Sequence, residues 1–181
     1  MQQQNVQRSI FPYLIMLALL VLPRPAKADE QDRRLAALGM QMIEAGIFGA
    51  ASTYDPWTTN EPEGIETASG ELYDPESWTA AIQTDLRGAF GGIHYGRKYR
   101  PAFALIESGD RRVIVKINDV GPLMPGRIVD LNTRTMRYFD PGLTAGLVRD
   151  ITVTPLPGDG WIAGPIGGEE TQTLVLSARQ R

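Results

Sequence analysis

The spacing of apolar and polar positions divides the chain into an apolar leader, one helix and a series of short strands. The apolar residues Leu35, Leu38, Met42 and Ala45 recur at helical spacing between Asp29 and Gly46. Beyond them, short runs rich in Val, Ile and aromatic residues are separated by clusters of Gly, Pro, Asn and Asp, as strands and turns are. The pattern predicts an amphipathic helix within residues 29–48 and a mainly β domain over residues 49–157.

Six strands and one short helix can be located in the β domain. The strands are predicted at Gly49–Tyr54, Trp78–Ile82, Ala102–Glu107, Arg112–Asn118, Arg127–Leu131 and Leu147–Pro155. The helix is predicted over Asn132–Phe139, with Asn132 as its N-cap and with Met136 and Phe139 facing inward. Short strands with one small helix favour a compact barrel over a parallel layered sheet. Residues 158–181, rich in Gly and Pro, are expected to form a loosely ordered tail that includes a further candidate strand at Thr173–Leu176.

Residues 1–28 have the pattern of a secretory signal peptide. Arg8 lies in a polar lead, Ile10–Leu22 is apolar, and Ala26-Lys27-Ala28 supplies small residues before a cleavage site. The apolar run is shorter than the roughly 20 residues that a membrane-spanning helix needs. We therefore expect cleavage near Ala28 and a periplasmic or secreted mature protein without a membrane span; an uncleaved anchor is the alternative.

The amino-acid composition excludes or disfavours several kinds of chemistry and partner. The chain has no cysteine, which excludes disulfides, thiol chemistry and lipidation after the signal, so the protein is not expected to be a lipoprotein. The net charge is −3 and the leader contains no acidic residue, so the mature protein is more acidic still, which disfavours nucleic acid as a partner. The single histidine, His94, lies in a Gly-rich insertion over residues 85–99. A metal site needs three or four ligands, so neither a metal nor another cofactor is predicted.

Two acidic residues lie at the ends of apolar strands. Because an unpartnered buried carboxylate costs several kcal/mol, such acids belong either to a hydrogen-bonded structure or to a site that uses a perturbed pKa. Asp130 lies between Val129 and Leu131 and should point away from them by strand alternation, which leaves it partly desolvated. Asp119 could instead serve a turn before Gly121, and Asp130 could cap the following helix.

Five blocks of the sequence, taken in order, resemble the rare lipoprotein A (RlpA) family. The blocks are Ala51-Ser52-Thr53-Tyr54, Thr67–Asp74, Trp78–Ala81, Val115–Pro122 and Gly126–Leu131. The resemblance covers roughly residues 49–155 and implies a six-stranded double-psi β-barrel with short helices. It also implies an exported lytic transglycosylase that cleaves the β-1,4 bond between N-acetylmuramic acid and N-acetylglucosamine in peptidoglycan glycan strands and leaves 1,6-anhydro ends.

The resemblance also implies a site. Asp119 and Asp130 are the expected catalytic residues, and Glu71 and Asp74 are expected on a loop over the same groove. Tyr54, Ser69 and Arg127 are the other expected substrate-binding residues. For Glu71 and Asp74 the alternative is an ordinary solvated loop, and for Arg127 it is a salt bridge to one of the two central acids. Trp78 is expected in the core.

Three departures from the family bear on activity. Ile82 stands where the family usually has a histidine, the insertion over residues 85–99 is long, and neither the lipidation cysteine nor the C-terminal glycan-binding repeat is found in this sequence. Two alternatives to a transglycosylase follow. One is a glycan-binding or wall-loosening module of the expansin kind, and the other is an inactive scaffold whose helix over residues 29–48 contacts another envelope protein.

Overall fold

The computed structural model describes residues 26–54, 65–91, 100 and 102–167, and it describes side chains in the first helix for residues 30–38 and 45. Some of the predicted features lie outside the described residues. They are most of the signal peptide, His94 and the candidate strand at Thr173–Leu176.

The described residues form two α-helices, one 3-10 helix and seven strands. In chain order these are α1 Ala26–Ala45, β1 Ile47–Thr53, β2 Thr79–Gln83, the 3-10 helix Thr84–Phe90, β3 Ala102–Ser108, β4 Arg111–Gly121, β5 Arg127–Leu131, α2 Thr133–Phe139, β6 Leu147–Leu156 and β7 Gly164–Pro165. All six predicted strands and both predicted helices are present, with shifts of a few residues at their ends. Asn132 is the N-cap of α2, as predicted.

The first six strands close into a ring. Their order is β2-β5-β1-β6-β3-β4, and β4 pairs back with β2. The pairs β1–β5 and β2–β4 are parallel, and the other four pairs in the ring are antiparallel. This arrangement confirms the prediction of a mainly β, six-stranded double-psi barrel. The short strand β7 pairs with β4 outside the ring.

Alternate residues of the strands fill the barrel interior. The fully buried members of this core include Ala51, Ala80, Ile82, Val115, Ile117, Val129, Leu131 and Ile151. Met136 of α2 closes the interior and is fully buried, and Phe139 packs against it, as the sequence predicted. Because strand residues alternate between faces, the positions between these apolar residues point out of the barrel.

A second apolar cluster lies outside the ring, over β3, β4 and β6. It contains Leu35 of α1 together with Trp161 and Ile166. The side-chain amide of Gln31 donates to the Ile162 carbonyl at 3.1 Å and its oxygen accepts the Ile162 N–H at 2.8 Å. The guanidinium of Arg34 lies 4.0 Å from the centre of the Trp161 ring. The amphipathic helix therefore packs on its own domain, which is the favoured of the two interpretations of its apolar stripe.

The expectation of a loosely ordered segment after Pro157 is wrong for the described residues up to Gly167. Trp161 is 5% exposed, Ile166 is 6% exposed, and Gly164–Pro165 pairs with β4. The many glycines and prolines remove the periodicity by which sequence patterns are recognised, but two large apolar side chains are enough to anchor the segment against α1 and β4. Among the described residues, no helix has the length and apolar character needed to cross a membrane.

Candidate active site

One row of residues crosses four neighbouring strands on the outer face of the barrel. Ser52 of β1 pairs with Asp130 of β5, Asp130 pairs with Ala81 of β2, and Ala81 pairs with Asp119 of β4. Paired residues point to the same face of a sheet, and the chain neighbours of Ser52, Ala81 and Asp130 lie in the interior. The Cα atoms of the two acids are about 10 Å apart, which is two strand spacings. The structure thus brings together the two acids that the sequence selected, and only a methyl group lies between them; we call these four residues the acid row.

A β-bulge aims Asp119 outward. Val115 and Ile117 point into the core, so strict alternation would turn Asp119 inward as well. The register between β2 and β4 shifts between Ala80 and Ala81, so that Asn118 is an extra residue in β4 and Asp119 pairs with Ala81. Bulges commonly re-aim a side chain next to an active site. Asp119 lies within β4, so the interpretation of this segment as a tight turn is wrong.

Backbone donors hold the Asp119 carboxylate. Its Oδ1 accepts the N–H of Ala68 at 2.9 Å and that of Val120 at 2.8 Å. The N–H of Ser69 donates to the Asn118 carbonyl at 3.0 Å, so the loop over residues 65–74 is tied to β4 at two points. The loop thereby forms one wall beside the acid row.

Asp130 is the partly buried acid of the site. Burial raises its pKa, while the Ser52 hydroxyl, which donates to Asp130 Oδ1, and the charge of Arg127 both act to lower it. Burial has the larger effect, so the protonated form of Asp130 is favoured relative to an ordinary aspartate. The alternative role as a helix cap is wrong, because Asn132 Oδ1 accepts the Thr135 N–H at 3.0 Å and caps α2 itself.

Tyr54 links the two acids electrostatically. Burial, the charge of Asp119, a hydrogen bond to the Asp119 side chain and smaller effects of Tyr73 and Asp130 raise the pKa of the Tyr54 hydroxyl above its ordinary value. The phenol is therefore a neutral donor at any physiological pH. Its ring meets that of Tyr73 edge to face at 5.3 Å between centroids. Tyr54 therefore lies beside the acid row.

Two of the remaining candidates, Glu71 and Ser69, lie on the part of the 65–74 loop next to the acid row. Glu71 forms an ion pair with Lys116, whose register partner Thr79 precedes Ala81 by two residues on the same face of β2. Glu71 therefore lies near the acid row. The Ser69 hydroxyl is 2.9 Å from the Thr67 hydroxyl and accepts the Glu71 N–H at 3.2 Å, so it holds the loop in shape.

Asp74 is used by its own turn. Its side chain is exposed, and its Oδ1 accepts the Glu76 N–H at 2.9 Å in the local pattern that aspartate forms in turns. The Asp74 carbonyl accepts the Ser77 N–H at 3.1 Å and the side-chain amide of Asn132 at 3.0 Å. These contacts agree with the alternative of an acid in a solvated loop. The structure gives Asp74 no described contact with either acid of the row.

The structure also locates Arg127, Ile82 and Trp78. Arg127 lies at the start of β5 and pairs with Ala50 of β1, and its positive charge acts to lower the pKa of Asp130. Ile82 is fully buried in the barrel core. Ile82, which the resemblance aligns with a family histidine, therefore lies in the interior and is not part of the outward acid row. Trp78 packs partly buried against the core, with the Arg134 guanidinium 4.6 Å from its ring centre.

Ser52, Ala81 and Lys116 complete the site, and sequence reasoning did not select them. Ser52 and Ala81 follow buried alanines in strands, which is the only local signal that they face outward. Their pairing with Asp130 and Asp119 is a property of distant strands and is not visible along the chain. Among the described residues, no group of three or more His, Asp or Glu side chains could hold a metal ion.

We predict that Ser52→Ala raises the pH at which Asp130 loses its proton. The Ser52 hydroxyl stabilises the ionised form of Asp130, so its removal raises the Asp130 pKa further and keeps the acid protonated to higher pH. The titration of Asp130, followed by NMR of its carboxyl carbon, should move to higher pH, whereas Ser52→Thr, which keeps the hydroxyl, should leave it in place. A titration midpoint that stays fixed or moves to lower pH in Ser52→Ala would contradict this role.

The comparisons with known proteins agree with this fold. A family profile described as lytic transglycolase matches residues 47–149, more than half of the chain, and this span contains the whole acid row. The chain therefore belongs to this lytic transglycolase family of double-psi β-barrel domains. It is similar to two proteins named endolytic peptidoglycan transglycosylase RlpA, from Yersinia pestis (31% identity over 65% of this chain) and Pasteurella multocida strain Pm70 (31% over 65%).

A third relative is the probable endolytic peptidoglycan transglycosylase RlpA of Nostoc sp., which is 35% identical over 42% of this chain. The aligned parts make up 28%, 35% and 18% of the Yersinia, Pasteurella and Nostoc proteins, so the chain spans about a third or less of the relatives it matches. Among solved structures, the Streptomyces papain inhibitor (SPI) matches 61% of this chain and 94% of its own, with a TM-score of 0.46 and 19% identity.

Proposed function

We propose that this protein is an exported lytic transglycosylase that cleaves the β-1,4 bond between N-acetylmuramic acid and N-acetylglucosamine in peptidoglycan. The observation that carries the proposal is Asp130, a partly buried acid with a raised pKa that faces outward beside a second carboxylate. The family and the printed names of the relatives support the same activity. Export rests on the signal pattern of residues 1–28 and on a substrate that lies outside the cytoplasm.

Lytic cleavage can proceed with a single acid. In the proposed reaction, Asp130 gives its proton to the glycosidic oxygen as the bond from that oxygen to C1 of the muramic acid breaks. The C6 hydroxyl of the same sugar then closes on C1, and its proton passes to the Asp130 carboxylate. Asp130 ends in its starting state, no water is consumed, and the raised pKa provides the protonated acid that the first step needs.

Asp119 and Tyr54 are proposed to support the positive charge that develops at C1. The Asp119 carboxylate is held by two backbone N–H groups and by Tyr54, so it needs no reorganisation as that charge appears. The Tyr54 hydroxyl, whose proton bonds Asp119, is proposed to accept a hydrogen bond from a sugar hydroxyl. Glu71, Ser69 and Arg127 are proposed to contribute to the walls of the groove and to contacts with glycan.

Asp74 is proposed only for the rim of the groove, because its carboxylate already serves a turn. The interior position of Ile82 supports the catalytic proposal over a non-catalytic module. A polar side chain missing from the core does not change the groups that face the substrate.

The proposal is tested by digestion of purified sacculi with the mature protein, residues 29–181. We expect soluble muropeptides to be released, with a matching loss of turbidity. Binding of sacculi without release would instead support an expansin-like module. Neither binding nor release would favour a scaffold, and a pull-down of envelope proteins with and without residues 29–48 would then test the helix as its contact.

A further inference from the structure

A second feature of the outer face lies on β1, beyond the acid row. The side chain of Phe48 is 76% exposed, which is the highest exposure among the large apolar side chains of the described residues. Phe48 and Ser52 are both on the outer face of β1, four residues apart, because Ile47 and Ala51 face the core. The strand rise puts Phe48 about 13 Å from the acid row. A short oligosaccharide is long enough to span this distance from Phe48 to the acid row.

The surroundings of Phe48 form an open hollow of about 600 Å³. Its lining includes Gly126, Arg149, Asp150 and Thr152. The register between β1 and β6 shifts at residues 149 and 150, which form a β-bulge in β6. Asp150 in this bulge has a left-handed backbone conformation, with φ 56°. The bulge leaves the side chains of both Arg149 and Asp150 exposed beside the ring. The hollow therefore combines one apolar ring with charged and hydroxyl groups.

Arg127 lies between this hollow and the acid row. It pairs with Ala50, the outward residue midway between Phe48 and Ser52, and its charge reaches Asp130. The order along β1 and β5 is thus an aromatic ring, a cation and an acid. Muramic acid carries a lactyl carboxylate where no stem peptide is attached, and the stem peptide carries carboxylates where one is, so a glycan strand that follows β1 brings negative charge next to Arg127.

We propose that Phe48 and the hollow beside it form a remote subsite for a sugar ring of the same glycan strand that is cleaved at the acid row. A pyranose has an apolar face that packs on an aromatic ring and hydroxyl groups that hydrogen-bond Arg149, Asp150 and Thr152. One aromatic ring with a polar rim suits a small polar ligand, whereas a stable protein interface needs a far larger patch. The subsite rests on the proposed function, because the ligand it binds is the substrate of that reaction.

The test measures binding of purified glycan strands of defined length by the mature protein carrying Asp130→Asn, which prevents turnover. Adding Phe48→Ala should weaken the binding of long strands about tenfold, equivalent to about 1.4 kcal/mol, and leave disaccharide binding unchanged. Phe48→Tyr, which keeps the ring, should bind long strands as the parent does. Ile162→Ala is the matched control, because Ile162 is also exposed, at 51%, but lies away from the hollow, where its backbone hydrogen-bonds Gln31 of α1.

Equal binding of all strand lengths by Phe48→Ala and its parent would overturn the subsite. A change in sedimentation of Phe48→Ala in the absence of glycan would also overturn it, because the ring would then cover a contact between copies of the chain. Failure of the parent Asp130→Asn protein to bind any strand, together with failure of the unmodified protein to digest sacculi, would reject the proposed function itself. The two failures are therefore distinguishable.

Discussion

Asp130→Asn is expected to lower the rate of glycan cleavage by about 10²–10⁴-fold, the usual contribution of a general acid. Asparagine has nearly the same shape as aspartate but has no proton to give to the glycosidic oxygen and cannot take one from the C6 hydroxyl. Binding of sacculi should persist, because the groove keeps its form. The measurement is the initial rate of muropeptide release at equal enzyme concentration. Asp159→Asn, the same change of charge in an exposed turn, should leave the rate unchanged.

The same variant should change the pH dependence of stability. A raised pKa means that the folded protein holds the Asp130 proton at pH values where the unfolded chain has lost it. Stability therefore falls as pH rises from the ordinary aspartate pKa, about 3.9, through the raised value, and stays lower above it. Asp130→Asn removes that loss, so it should raise the melting temperature at neutral pH and have little effect near pH 3. Full cleavage activity would exclude Asp130 as the general acid, and a melting temperature at neutral pH below that of the unmodified protein would contradict the raised pKa.

Asn132→Ala is expected to lower the free energy of unfolding by about 3 kcal/mol. Asn132 is fully buried and connects two parts of the site. Its Oδ1 caps α2 through Thr135, and its amide donates to the carbonyls of Asp74 and Ser77. Loss of a cap costs about 1 kcal/mol, and the Ser77 carbonyl left without its donor costs about 1–3 kcal/mol, whereas the Asp74 carbonyl keeps the Ser77 N–H. For a domain of this size, the melting temperature should fall by about 10 °C.

A conservative variant separates the two functions of Asn132. Asn132→Asp keeps the acceptor that caps α2 but replaces the amide donor with an oxygen facing two carbonyls. If the hydrogen bonds to the 74–77 turn contribute most of the stability, the melting temperature of Asn132→Asp should be close to that of Asn132→Ala. A melting temperature equal to that of the unmodified protein in both variants would show that Asn132 holds neither element.

The parts of the fold that depend on local patterns could be predicted from the sequence. Val129 and Leu131 marked one face of β5, so the outward position of Asp130 followed from alternation alone. The cap at Asn132 and the helix after it are equally local. Ile82 could have been assigned to the core in the same way, because it alternates with Ala80 on β2.

The parts that depend on pairing between distant strands could not be predicted. Asp119 faces outward only because Asn118 is a bulge, and a bulge is defined by the register with β2. The hydrogen bond from Ser52 to Asp130 joins β1 to β5. The packing of Trp161 against α1 brings together two ends of the described chain. In each case the stabilising contact joins residues that are far apart in the sequence, so local periodicity does not predict it.

The measurement that tests the central claim most directly is mass spectrometry of products released from purified peptidoglycan in water enriched in oxygen-18. The account predicts 1,6-anhydro ends that carry no heavy oxygen, because the sugar's own C6 hydroxyl closes on C1 and no water attacks. The same products should be missing from the Asp130→Asn digest. Reducing ends that carry oxygen-18 would contradict the account, because they would show that water is the nucleophile and that the acid row belongs to a hydrolase.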